Sequence, residues 1–81
     1  MPDRLAELRA GVERRVREQI ERHLRVDPRA NLARAVEIQM QEERDRLERL
    51  IDEADEDESE ALLALMAWLP QFERELRRRA R

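Results

Sequence analysis

Ala61-Leu62-Leu63-Ala64-Leu65-Met66-Ala67-Trp68-Leu69 is the longest apolar run in the chain. Nine residues are about half of a membrane span, so the run does not read as a transmembrane helix. Continued downstream, Leu62, Leu65, Leu69, Phe72 and Leu76 follow the 3,4,3,4 spacing of a helix stripe, and Leu63, Met66 and Trp68 spread around its sides. A helix apolar on that much of its circumference has more to cover than one neighbour can bury. The sequence therefore predicts self-association, most simply a homodimer in a helical bundle, with Leu62, Leu65, Met66, Trp68, Leu69, Phe72 and Leu76 at the interface.

Two more helices precede this one. At 100° per residue, Leu5, Leu8, Val12, Val16, Ile20 and Leu24 fall on one stripe, and Leu32, Val36, Met40, Leu47, Leu50, Ile51 and Ala54 on another. Asp3 is a plausible N-cap for the first. Val26-Asp27-Pro28 is the clearest punctuation, with Asp27 able to cap and Pro28 suited to a first helical position. The predicted helices span about residues 3–25, 28–54 and 60–79, and Pro70 should kink or break the third near Leu69. Seven acid-before-Arg pairs at i,i+4 support them: Glu13–Arg17, Glu18–Arg22, Glu21–Arg25, Glu42–Arg46, Asp45–Arg49, Glu73–Arg77 and Glu75–Arg79. The fold class expected is all-α: a helical hairpin plus a kinked third helix, in one domain of 81 residues.

Composition agrees. Charged residues make up 46% of the chain and aromatic residues 2%, with a single Gly, which leaves too few sheet and turn formers for a β fold. The absence of Cys removes disulfides, thiolate metal sites and thiol nucleophiles. One His and no Tyr leave carboxylates as the main acid/base candidates. The start of the chain has no hydrophobic stretch of signal-peptide type, so a cytoplasmic location is expected, with no membrane partner.

The formal charge of −3 hides a strong segregation. Residues 1–34 carry nine Arg against six acids, residues 35–60 three Arg against twelve acids, and residues 61–81 five Arg against two acids. Residues 52–60 contain Asp52, Glu53, Asp55, Glu56, Asp57, Glu58 and Glu60 with no base among them. Like-charge repulsion makes this a poor helix centre, so an acidic connector is expected there, with Ser59 or Asp57 capping the helix that follows. These seven carboxylates are the candidate partner-binding residues, facing a basic protein surface.

Other chemistries find less. His23 and Glu43 fall inside the apolar stripes of the first and second helices and are expected to be, respectively, a neutral histidine with a backbone partner and an interfacial ion pair or a partly wet position that fixes register. Ferritin-like metal bundles need Glu-x-x-His, and Ile20 stands three before His23. An EF-hand loop starting at Asp55 would need Glu where Met66 stands, and the run has no Gly. Glu18-x-x-Glu21 followed by Glu42-x-x-Asp45 is similar to the acidic magnesium motif of the all-α nucleoside-triphosphate pyrophosphatases. The likeness covers those four positions, among seven acid-x-x-acid pairs in the chain, and all four acids project away from their helices' apolar stripes, whereas that family holds its acids in an inward pocket. Arg9, Arg14, Arg15, Arg17, Arg22 and Arg25 are interleaved with Glu, and no nucleic-acid motif accompanies them or the tail Arg77-Arg78-Arg79-Ala80-Arg81. The leading expectation is thus a non-enzymatic interaction protein, an oligomeric adaptor, regulator or inhibitor with no cofactor. The alternative is a carboxylate-dependent metal-binding bundle, for metal storage or pyrophosphatase-like hydrolysis.

Overall fold

A computed structural model describes residues 3–79 and contains three helices: α1 (Arg4–Val26), α2 (Leu32–Glu53) and α3 (Glu56–Arg79). Each begins at a short polar side chain that satisfies otherwise unpaired backbone donors. Asp3 caps α1, its carboxylate accepting from the Leu5 N–H at 3.0 Å. Asn31 caps α2, its side-chain oxygen accepting from Ala33 N–H at 2.9 Å and Arg34 N–H at 3.4 Å. Asp55 opens α3, its carboxylate accepting from Glu58 N–H at 2.9 Å and its carbonyl from Ser59 N–H at 2.8 Å.

Three boundaries differ from the sequence expectation. Helix α2 starts at Leu32 and not at Pro28. The Asp27 carboxylate accepts from Arg29 N–H at 3.2 Å and its carbonyl from Ala30 N–H at 3.0 Å, which folds residues 27–30 into a tight turn. Its own N–H donates to the His23 carbonyl and closes α1, so the residue is already committed when α2 needs a cap. Helix α3 starts at Glu56, which makes the acidic connector Ala54-Asp55 alone and leaves neither Asp57 nor Ser59 as the cap. Glu56, Asp57 and Glu58 sit in the first turn, where the partial positive charge of the helix N-terminus offsets the repulsion that argued for a long loop. Finally, α3 runs unbroken through Pro70. Pro70 is exposed, so its ring displaces no core side chain, and the helix bears the missing N–H locally.

The chain passes up, down and up. Arg4 at the start of α1 pairs with Glu58 at the start of α3, Arg15 in mid-α1 with Glu43 in mid-α2, and Arg44 of α2 with Glu73 of α3. All three helix pairs touch, and α2 with α3 is the most extensive. The core consists of Val12, Val16 and Ile20 from α1, Val36, Met40 and Leu47 from α2, and Leu62, Leu65, Trp68, Leu69 and Phe72 from α3. The extents are 43 × 24 × 18 Å, and no described helix is long and apolar enough to cross a membrane.

Of the seven anticipated i,i+4 pairs, Glu73–Arg77 alone is within ion-pair distance among the described residues, at 3.9 Å. Arg46 turns from Glu42 to Glu43, whose buried carboxylate repays the ordering of a long side chain better than an exposed one.

Candidate functional site

The start of α1, the end of α2 and the start of α3 meet at one end of the bundle and bring the acidic run with them. Asp52, Glu53, Asp55, Glu56, Asp57 and Glu60 are exposed there, and Glu58 is half-buried. Glu58 is drawn in by Arg4, whose Nη2 donates to Oε1 at 2.7 Å and whose Nε donates to Oε2 at 3.4 Å. That hydrogen bond, then the Glu58 charge, hold the Arg4 guanidinium above its ordinary range, with a smaller contribution from Glu7. Among the described residues the other six have no ion-pair partner. Their charge therefore points into solvent, where like charges at close spacing add to a local negative potential. Beside them lies a groove of about 360 Å³ with Leu8, Leu50 and Leu62 in its wall and Arg4, Arg46, Glu53 and Glu58 around it. The opposite end gathers exposed Arg22, Arg25, Arg29, Arg34, Arg77, Arg78 and Arg79, so the molecule is electrically polarised along its long axis.

The residues anticipated as an oligomer interface lie elsewhere than expected. Leu62, Leu65, Trp68, Leu69 and Phe72 are buried within the single chain, and Met66 and Leu76 are half-buried against the same core. The apolar face of α3 is wide because it meets two helices, α1 and α2. Trp68 stacks on Phe72 with ring centroids 4.9 Å apart, and the Arg9 guanidinium lies 5.3 Å over the indole. The five buried side chains are thus spent on the core of the single chain, whereas Met66 and Leu76 keep part of their surface in solvent. Among the described residues, the large apolar side chains that remain exposed are Val26, Ile38, Leu50 and Leu63.

Comparisons with protein families, curated proteins and solved structures find no match to this chain.

Among the described residues, Glu43 is the one charged side chain buried in the core. Arg15 grips it from α1, with Nε to Oε1 at 3.0 Å and Nη2 to Oε2 at 3.4 Å, and Arg46 approaches Oε2 at 3.6 Å. The carboxylate expected to fix register does join α1 to α2, but Arg15 was not legible as its partner. Its one sequence signal is its position three residues after Val12, at the edge of the α1 stripe. His23 does not lie in the stripe: it is exposed, and Ile20 and Leu24 take the inward positions of that last turn. Glu18, Glu21, Glu42 and Asp45 are all exposed, and the Asp45 carboxylate accepts from the Gln41 amide at 3.0 Å. Among the described residues no three acidic or histidine side chains converge on a point where a metal ion could sit.

Proposed function

We propose that this chain is a non-enzymatic protein-interaction module, an oligomeric helical adaptor, regulator or inhibitor, whose acidic end receives a basic protein surface. The observation that carries the reading is the solvent-facing charge of Asp52, Glu53, Asp55, Glu56, Asp57 and Glu60, with no ion-pair partner among the described residues. Such a surface accelerates encounter with a basic partner and loses that advantage as salt rises past a Debye length of about 8 Å at physiological ionic strength. The neighbouring Leu8 and Leu50 add an apolar wall that an aliphatic side chain of the partner could bury, so recognition need not be charge alone.

The test compares two neutralised variants of equal charge. Asp52→Asn, Glu53→Gln and Asp57→Asn remove charge from the acidic end, and Glu18→Gln, Glu21→Gln and Glu48→Gln remove it from exposed positions elsewhere. Both should keep the parent's helicity. Partners captured by the parent at low salt should be lost from the first variant and kept by the second. Retention of every partner by the first variant would reduce the acidic end to a solvated helix junction.

A further inference from the structure

The outward face of α3, opposite the core, is self-complementary in charge. Glu56 and Glu60 stand at its beginning, Leu63, Ala64 and Ala67 in its middle, and Arg74 and Arg78 at its end, and every one of them is exposed. Leu63 is 55% exposed, the largest apolar side chain that α3 leaves in solvent. At 100° per residue these positions fall within one sector, and they run acidic, then apolar, then basic. Glu56 and Glu60 are like charges one turn apart, as are Arg74 and Arg78, an arrangement that disfavours the isolated helix. None of the four has an ion-pair partner among the described residues.

We propose that this face pairs with the same face of a second copy, antiparallel, about a two-fold axis through Ala67. The register follows from the spacing. With Ala67 opposite its own counterpart, Glu60 meets Arg74 of the partner and Glu56 meets Arg78 of the partner. Leu63 meets Gln71 of the partner. Two-fold symmetry doubles each pairing, so four ion pairs form and both like-charge repulsions become attractions. A small residue at the crossing point lets the helices approach closely, and the flanking Leu63 and Ala64 are covered. No core side chain moves. The pairing deepens the self-association half of the proposed function by moving it from the buried face of α3 to the exposed one. It leaves Asp52, Glu53, Asp55 and Asp57 free for another partner.

One helix face per subunit makes a small interface, so the dimer is weak and salt-sensitive. Sedimentation of the purified chain at a few hundred micromolar should give a mass approaching twice 9.8 kDa at about 50 mM salt and fall toward one chain at about 500 mM. Arg74→Glu with Arg78→Glu makes the face wholly acidic, and Glu56→Arg with Glu60→Arg makes it wholly basic. Each double variant alone should be monomeric, and their mixture should form a 1:1 dimer, a recovery that also proves both variants folded.

The chain has no Cys, so single cysteines report register directly. Ala67→Cys should cross-link to itself on oxidation. Gln71→Cys should not, because its two copies would stand about 12 Å apart along the axis. A parent that stays monomeric at low salt overturns the proposal. So does a dimer indifferent to the charge reversals, or one that cross-links as readily through position 71 as through 67. The acidic-end reading is tested through Asp52, Glu53 and Asp57, none of which belongs to this face, so the two readings fail separately.

Discussion

Removing either member of the Arg15–Glu43 pair deletes the same two hydrogen bonds between α1 and α2, yet the two deletions should cost very different amounts. The Glu43 side chain is 7% exposed, whereas Arg15 is 38% and Arg46 41% exposed. Arg15→Met keeps the aliphatic stem that packs along α1 but strands the carboxylate inside, with only the 3.6 Å approach of Arg46 to compensate it. Breaking a buried pair from one side costs about 3–5 kcal/mol. The remaining Arg46 lowers that to about 2–3 kcal/mol, the scale of a charge-assisted hydrogen bond. In a chain of this length the loss corresponds to roughly 10–20 °C in Tm. Glu43→Met strands two guanidiniums instead, and both reach water. Met at this position continues the apolar row between Met40 and Leu47, so that variant should lie within about 1 kcal/mol of the parent. Urea denaturation followed by far-UV circular dichroism measures both, and the double variant closes the cycle: with Glu43 already Met, Arg15→Met should cost almost nothing. If Glu43→Met proved as destabilising as Arg15→Met, the reasoning from unequal burial would be refuted.

Two further outcomes follow from backbone chemistry. Pro70→Ala restores an N–H inside a continuous helix at an exposed position, so stability should rise by up to about 3 kcal/mol, read as an increased urea midpoint; an unchanged midpoint would mean that α3 has already adapted to the ring. Asn31→Ala removes the α2 cap and should cost about 1 kcal/mol by the same assay, whereas Pro28→Ala should leave α2 intact, because that residue lies in the turn before it; the reverse order would restore Pro28 as the helix start.

The places where the sequence misled are the places where one residue had two uses. Asp27 reads equally well as a helix cap and as the first residue of a turn, and nothing local says that Asn31, four positions on, is the better placed cap. The acidic run reads as a loop when each carboxylate is weighed against its neighbours, and as a helix start once the unpaired N–H groups beneath Glu56, Asp57 and Glu58 are counted. By contrast, most inward residues of all three helices were legible, because a 3.6-residue period survives in any packing; His23 and Leu50, read into the stripes, face solvent at their edges. The destination of the α3 stripe was not. A wide apolar face serves a second copy or a second helix of the same chain equally well, and the choice depends on the triangular packing of three helices. Glu43 betrayed itself by standing in an apolar row, whereas Arg15, half in solvent, looked like every other arginine.

The unequal lengths of the two connections bear on how the chain folds. Two residues join α2 to α3, against five between α1 and α2, and the α2–α3 contact is the most extensive. Closing the shorter link costs less chain entropy and is rewarded at once by the larger apolar contact. The α2–α3 pair should therefore form the folding nucleus, and α1 should dock onto it late, guided by Arg15 seeking Glu43. In native-state hydrogen exchange the amides of α1 should accordingly open at lower free energy than those around Met40, Leu47 and Leu65, and equal protection of all three helices would show that they open only as a unit.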